Sequence, residues 1–110
     1  MRFNIKSTNL EVTPSLKEYI ETKLGRLQKI VQKMEKNQEL LLRVEVGRTT
    51  KHHKKGEVYR AEANLDIGKN VLRAESEHKD IHVAINNVYH ELEREVTKFK
   101  EKLQPSKQKR

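Results

Sequence analysis

Alternating apolar and polar residues predict four β-strands. Phe3 and Ile5 alternate with polar neighbours in a short first strand, and residues 40–46 repeat the pattern in a second one. Residues 58–77 alternate on both sides of the turn-forming tripeptide Gly68-Lys69-Asn70, as expected for a β-hairpin. The polar positions alternate arginine with glutamate, which favours cross-strand charge pairing on a solvated sheet face.

Apolar residues spaced three and four apart predict two amphipathic helices, over about 14–34 and 81–103. Thr13-Pro14 starts the first helix, because a threonine hydroxyl can cap free backbone amides and proline is tolerated at the first helical position. Asp80 is placed to cap the second helix in the same way.

The element order β-α-β-β-β-α predicts an α+β fold. One apolar sheet face and two amphipathic helices bury each other in a single two-layer sandwich, with a four-stranded sheet and two roughly parallel helices packed on one face. The 110 residues leave room for one domain, which we assign to residues 1–104. A short basic disordered tail over 105–110 follows it.

Charge changes this picture because it is unevenly spread. The chain carries 24 Lys and Arg against 16 Asp and Glu, a net charge of +8. Residues 48–55 hold four cations and no acid, and residues 98–110 hold six cations and one acid. The remainder is close to neutral, so the pattern indicates a polyanionic partner, with nucleic acid the first candidate and an acidic membrane surface the second.

Basic residues also recur at helical spacing on the polar sides of both predicted helices. Because the helices are expected to be parallel, their basic stripes would lie in a shared groove where lysine and arginine can contact phosphates. Most of the few aromatic residues fit core positions, so recognition of RNA shape and backbone is favoured over stacking on unpaired bases. The candidate RNA-binding residues are Lys23, Arg26, Lys29, Lys33, Arg94, Lys98, Lys102, Lys51, Lys54 and Lys55.

Nothing in the sequence favours catalysis, a metal or a cofactor. The chain has no cysteine and its four glycines are isolated, which leaves no thiolate ligands and no glycine-rich phosphate loop. His78 and His82 have helical ligand spacing, but His78 lies before the predicted helix, so they are interpreted as surface histidines. No apolar run approaches a membrane span of about 20 residues. We therefore expect no enzyme, metal site, cofactor, small-molecule substrate or membrane partner.

Several blocks of sequence resemble the ribosome hibernation-promoting factors, which are ribosome-associated translation inhibitors. The first two are NLEVTP at residues 9–14 and KLGRLQK at residues 23–29. The others are DIHVAIN at residues 80–86 and LEREVTK at residues 92–98. The resemblance extends over residues 1–103 in the same element order, and it rests on the whole pattern more than on any single motif.

The resemblance implies a cytoplasmic, non-enzymatic factor that binds the small subunit of the 70S ribosome and its ribosomal RNA. Such a factor would occupy the decoding region, where messenger RNA and tRNA lie, and would inhibit translation and promote ribosome hibernation in stationary phase or under stress. The basic contacts that the resemblance implies are Lys23, Arg26, Lys29, Arg94, Lys98 and Lys102.

Some features depart from the family pattern. Ile81-His82 stands where the family often has Met-Tyr, and Glu91 replaces a frequent lysine. The basic loop over 48–56 is longer than in short relatives and is expected to add RNA contacts. Long relatives carry a linker and a C-terminal dimerisation domain, and since the chain ends at Arg110 we expect a short form that does not itself bridge two ribosomes.

Two other classes of protein remain open from the residues alone. A generic module for structured or double-stranded RNA would bind duplexes as tightly as ribosomes. A structural or protein-interaction domain would use the basic tail for solubility only, and its RNA affinity would not depend on the cationic segments.

Overall fold

The computed structural model describes residues 1–36, 38–49 and 56–103. The candidate residues Lys51, Lys54 and Lys55 and the tail over 105–110 lie outside the described residues. The elements are β1 (Arg2–Thr8), α1 (Pro14–Gly25), α2 (Leu27–Val31), a 3₁₀ helix (Met34–Lys36), β2 (Leu40–Arg48), β3 (Tyr59–Ile67), β4 (Asn70–His78) and α3 (Ile81–Lys102).

The four strands form one mixed sheet in the order β1-β2-β3-β4. β1 pairs with β2 in parallel and places Phe3 opposite Leu42. The other two pairs are antiparallel, so Val44, Ala63 and Ala74 lie side by side across β2, β3 and β4. A parallel pair needs a crossover connection, which α1 and α2 supply. The predicted α+β class, with a four-stranded sheet, is confirmed.

Both helical segments start where the sequence predicts. The Thr13 hydroxyl accepts a hydrogen bond from the backbone N–H of Leu16 at 3.2 Å at the start of α1. The Asp80 carboxylate accepts one from the backbone N–H of His82 at 2.9 Å at the start of α3. Each cap satisfies an amide that the first turn of a helix leaves without an intrahelical partner.

The first helix is interrupted, so the prediction of one helix over 14–34 is wrong. α1 ends at Gly25, Arg26 forms a turn, and α2 continues from Leu27. Glycine weakens a helix by roughly 1 kcal/mol relative to alanine, which lowers the cost of a turn at this point. The apolar stripe still reaches the core, because Leu24 and Leu27 are fully buried on either side of the break.

The core lies between the helices and one face of the sheet. Ala61, Ala63 and Ala74 face it from β3 and β4, and their small side chains let α3 pack closely on these two strands. The large side chains that complete it with no exposed surface are Ile20, Leu24, Leu27, Val31, Leu40, Leu42, Val46, Leu65, Leu92 and Val96.

Candidate nucleic-acid interface

α1 and α2 together lie beside α3 and run in the same direction as α3. Near their N-terminal ends, the rings of Tyr19 and His82 meet edge to face with centroids 4.6 Å apart. At their C-terminal ends, Lys100 Nζ donates a hydrogen bond to the carbonyl oxygen of Ile30 at 3.3 Å. From the Tyr19–His82 contact to the Ile30–Lys100 contact, the residue numbers increase in α1–α2 and also in α3, so the two run in the same direction. The predicted parallel arrangement is therefore confirmed, and both C-terminal ends lie at the same end of the helix layer.

Lys23 and Arg26 lie along the seam where α1 meets α3. Lys23 is half-buried, and its Nζ lies 5.2 Å from the centroid of the Tyr89 ring, within cation–π distance. Burial raises the pKa of Tyr89 and the charge of Glu93 adds to this effect, whereas the nearby Arg26 opposes it. The seam is thus lined by two of the candidate cations and by one buried aromatic ring.

Lys29 and Lys33 are exposed beyond the break in the first helix. In the part of the chain that the structure describes, no carboxylate lies within ion-pair distance of Arg26, Lys29 or Lys33. Lys36 extends this series at the end of the 3₁₀ helix and is also exposed. Lys36 is not among the candidate residues predicted from the sequence, although its spacing of three residues after Lys33 continues the basic pattern.

Arg94, Lys98 and Lys102 lie on the flank of α3 that faces away from α1. Asn87 lies on this flank, because its side-chain amide donates to the hydroxyl of Ser76 in β4 at 3.2 Å. Arg94 follows Asn87 by seven residues, about two helical turns, and Lys98 and Lys102 continue at spacings of four. The structure therefore does not bring the two basic stripes together in one groove. They lie on either side of the seam.

The cations concentrate where the helical segments end. Acidic residues such as Glu21 and Glu91 occupy the earlier turns of α1 and α3. Lys29 lies in α2 and Lys33 follows it, and three further lysines lie in the last turns of α3, namely Lys98, Lys100 and Lys102. Three acids also lie at this end, Glu35, Glu95 and Glu101. The Glu35 carboxylate contacts the amino group of Met1 and the side chain of Gln28, and Glu95 Oε2 lies 4.0 Å from Lys98 Nζ. Cations are favoured near helix C-termini because they complement the helix dipole. We call this region, from Arg26 to Lys36 and from Arg94 to Lys102, the basic end.

The outer face of the sheet differs from the basic end because its arginines are paired. Arg43 makes two hydrogen bonds to the carboxylate of Asp66, at 2.8 and 2.9 Å. Arg73 lies 2.6 Å from Glu62, which also accepts a hydrogen bond from Arg60 at 3.2 Å. Burial acts to raise the pKa of Glu62, but the hydrogen bond from Arg60 and its positive charge help to lower that pKa on balance. Cross-strand charge pairing is confirmed, and this face is less suited to phosphate.

The end of β2 lies at the end of the sheet that is farther from the basic end. β2 starts just after the basic end and finishes at Arg48, and the backbone N–H of Thr49 then donates to the carbonyl oxygen of Val58 at 2.9 Å. A nine-residue strand is roughly 27–30 Å long. Arg48, the last residue of β2, is therefore about one strand length from the basic end.

The histidines of the described residues make local contacts. His78 Nδ1 accepts a hydrogen bond from the backbone N–H of Asp80 at 3.0 Å, and His82 Nδ1 lies 3.4 Å from the Asp80 carboxylate. Within residues 1–36, 38–49 and 56–103, no three His, Cys, Asp or Glu side chains are arranged to hold a metal ion. Over the same residues, no helix is long and apolar enough to cross a membrane.

The fold and its basic end define a small α+β protein suited to binding a polyanion. A family model described as "Sigma 54 modulation protein / S30EA ribosomal protein" matches residues 3–104. The chain belongs to this family. The resemblance drawn from the sequence blocks is confirmed.

Curated relatives carry names that agree with this membership. The chain is 28% identical over 106 residues to the ribosome hibernation promotion factor of Deinococcus radiodurans, covering 96% of this chain and 52% of the relative. It is 28% identical over 103 residues to the ribosome hibernation promoting factor of Klebsiella oxytoca, covering 94% and 97%. With the Bacillus subtilis factor the identity is 30% over 103 residues, covering 94% and 50%. The chain thus spans about half the length of the Deinococcus and Bacillus relatives.

Solved structures share the fold. The N-terminal domain of Thermus thermophilus Protein Y superimposes with a TM-score of 0.71 at 29% identity, covering 90% of this chain and 99% of that one. A ribosomal subunit interface protein from Coxiella burnetii gives a TM-score of 0.72 at 21% identity, covering 91% and 98%. Membership of this family of ribosome hibernation factors confirms that the chain is a binding protein and not an enzyme, and it connects the chain to ribosome-associated regulation of translation.

Proposed function

We propose that this protein is a cytoplasmic factor that binds the small ribosomal subunit and occupies its decoding region. There it excludes messenger RNA and tRNA by its bulk and keeps the ribosome inactive. The observation that carries this proposal is the basic end, where exposed cations cluster at the ends of α2 and α3 in a chain that is similar in sequence to ribosome hibernation factors.

The basic end fits ribosomal RNA because phosphates are the anions that such cations bind. Lysine and arginine side chains that neutralise phosphates release condensed counterions, and this release drives association without base recognition. Tyr89 is buried and Tyr19, Tyr59 and Phe99 are half-buried, so these rings are poorly placed to stack on splayed bases. Backbone and shape recognition of folded RNA therefore suits this surface better than reading a single strand.

The candidate residues divide between two sides of the seam. Lys29 and Lys33 are assigned to one RNA segment, and Lys98 and Lys102 to another. Two separated rows of cations suit a partner that offers two phosphate backbones, as a folded RNA does and an extended single strand does not. Lys51, Lys54 and Lys55 are proposed to add contacts beyond this surface.

A generic module for double-stranded RNA is the second candidate. It is favoured by the same basic end, because cations that contact only phosphates carry no sequence information. The two functions differ in specificity: the generic module binds any duplex as tightly as it binds small subunits. Competition by an unrelated RNA duplex at equal phosphate concentration separates them.

Charge reversal tests the basic end directly. We expect R94E/K98E to weaken binding to purified small subunits about 50-fold or more at roughly 0.1 M salt, because each lost phosphate contact forfeits its counterion release. The plot of log affinity against log salt should also become shallower by about 1.4–1.8. Sedimentation of the labelled protein with subunits across a salt series measures both quantities.

A control with the same change in charge is available outside the basic end. Lys6 on the outer sheet face and Lys17 in the first turns of α1 are both exposed, so K6E/K17E should bind within about threefold of the unaltered protein. Circular dichroism checks that both variants fold. Equal losses in the two variants would show that only net charge matters and would contradict the assignment of the basic end.

A further inference from the structure

Lys100 differs from its neighbours on the last turns of α3. Lys98 and Lys102 are exposed on the flank that faces away from α1, whereas Lys100 is half-buried and lies on the seam. Its Nζ donates a hydrogen bond to the carbonyl oxygen of Ile30, which is 70 residues earlier in the chain. The ammonium group of Lys100 therefore bonds a different helix, whereas Lys98 and Lys102 lie on an exposed flank, where Lys98 Nζ lies 4.0 Å from Glu95 Oε2 of its own helix.

The acceptor of this hydrogen bond lies in the last turn of α2, where backbone carbonyl groups have no donor within the helix. Ile30 is the next-to-last residue of α2, and the last four carbonyl groups of a helix have no intrahelical donor. A lysine ammonium group can satisfy such a carbonyl and also complements the negative end of the helix dipole. α2 has only five residues and follows a break, so its own hydrogen bonds hold it weakly.

The bond joins the two parts of the basic end. α2 carries Lys29, and Lys33 follows its last turn, while α3 carries Lys98 and Lys102 on the other side of the seam. We propose that Lys100 is a positioning residue: its bond to Ile30 holds the end of α2 against α3 and fixes the spacing between the two rows of phosphate-binding cations. This inference rests on the proposed function of the basic end.

The competing role for Lys100 is a direct phosphate contact, and the salt dependence of binding separates the two roles. A residue that neutralises a phosphate contributes about 0.7–0.9 to the slope of log affinity against log salt. A residue that only positions other cations changes the affinity and leaves the slope unchanged. Lys102 is the matched control, since it lies two residues away, in the same turn, and is exposed.

The first experiment measures binding to purified small subunits across a salt series for three variants. K100M should weaken binding about three- to tenfold with an unchanged slope, the range expected for one lost hydrogen bond. K102M should reduce the slope by about 0.7–0.9. K100R should restore affinity, because a guanidinium group can also donate to the Ile30 carbonyl. A reduced slope in K100M, or an unchanged affinity, would overturn the proposal.

The second experiment needs no ribosome. Amide hydrogen exchange of the free protein should become faster across Leu27–Val31 in K100M and remain unchanged in K102M, since only the first substitution releases the end of α2. Equal exchange in the two variants would overturn the positioning role even if ribosome binding fell. If the unaltered protein failed to bind subunits while K100M still loosened α2, the bond would stand and the proposed function would fail.

Discussion

At the scale of single residues, Gly25 and Gly47 differ in the space that surrounds them, and this space determines whether a larger side chain can be accommodated. A Cβ added to Gly25, at the end of α1, would meet no atom within 4 Å. A Cβ added to Gly47, in β2, would lie 2.8 Å from the backbone carbonyl oxygen of Thr8. Alanine therefore has room at the first position and collides with a paired strand at the second.

The two substitutions should change stability in opposite directions. We expect G25A to raise the free energy of unfolding by about 0.4–1 kcal/mol, because alanine restricts the unfolded chain and favours helix. G47A should lower it by about 1–3 kcal/mol, since β1 and β2 must move apart. Urea unfolding followed by circular dichroism measures both. A destabilised G25A would show that the break after α1 requires glycine.

The sequence could predict most local structure, and the exceptions have physical reasons. The caps at Thr13 and Asp80 depend on neighbours two or three residues away, so they are visible in the sequence. The break at Arg26 was not predictable from the apolar stripe, because Leu24 and Leu27 remain buried whether the helix is continuous or interrupted. Hydrophobic periodicity indicates which side of a helix faces the core. It does not reveal a turn, such as the one at Arg26, that leaves the same side of the helix buried.

At the scale of elements, the sheet depends on register for its charge pairs. Arg43 lies directly opposite Asn64 and bonds Asp66 two positions along β3, a diagonal contact. Alternating arginines and glutamates in each strand predicted pairing across strands. The choice of partner could not be predicted, because it depends on a register that only the assembled sheet defines.

Glu62 makes this network sensitive to acid. Its pKa is lowered in the folded protein, so its stabilising contribution is present above the unfolded pKa of about 4.3 and is lost as the pH falls through the lower folded value. At neutral pH, E62Q should be less stable than the unaltered protein by about 1–2 kcal/mol, and this difference should shrink from pH 5 towards pH 3. Unfolding free energies across this range measure the effect.

Glu21 provides the comparison for this substitution. It is exposed in α1 on the polar side of the helix, so E21Q should track the unaltered protein at every pH. A difference between E62Q and the unaltered protein that stayed constant down to pH 3 would contradict the ionic role of Glu62. It would then act through packing or neutral hydrogen bonds.

At the scale of the whole molecule, the position of charge matters more than its amount. The sequence predicted which helices carry the cations, and it predicted that these helices are parallel. Together these two features place the cations at the basic end. It did not predict on which flank of α3 the row containing Arg94 lies, because that depends on how α3 is rotated about its axis against β4. The expected groove between the stripes is replaced by a seam that Lys23 and Lys100 span.

If this protein occupies the decoding region as proposed, it and the ligands of that region exclude each other from the small subunit. The direct test is sedimentation of the labelled protein with purified small subunits at fixed salt, with and without bound messenger RNA and initiator tRNA. We predict saturable, equimolar binding to vacant subunits and its loss when both ligands are bound. Binding that is unaffected by these ligands, or that never saturates and follows total RNA, would show that the protein does not occupy the decoding region.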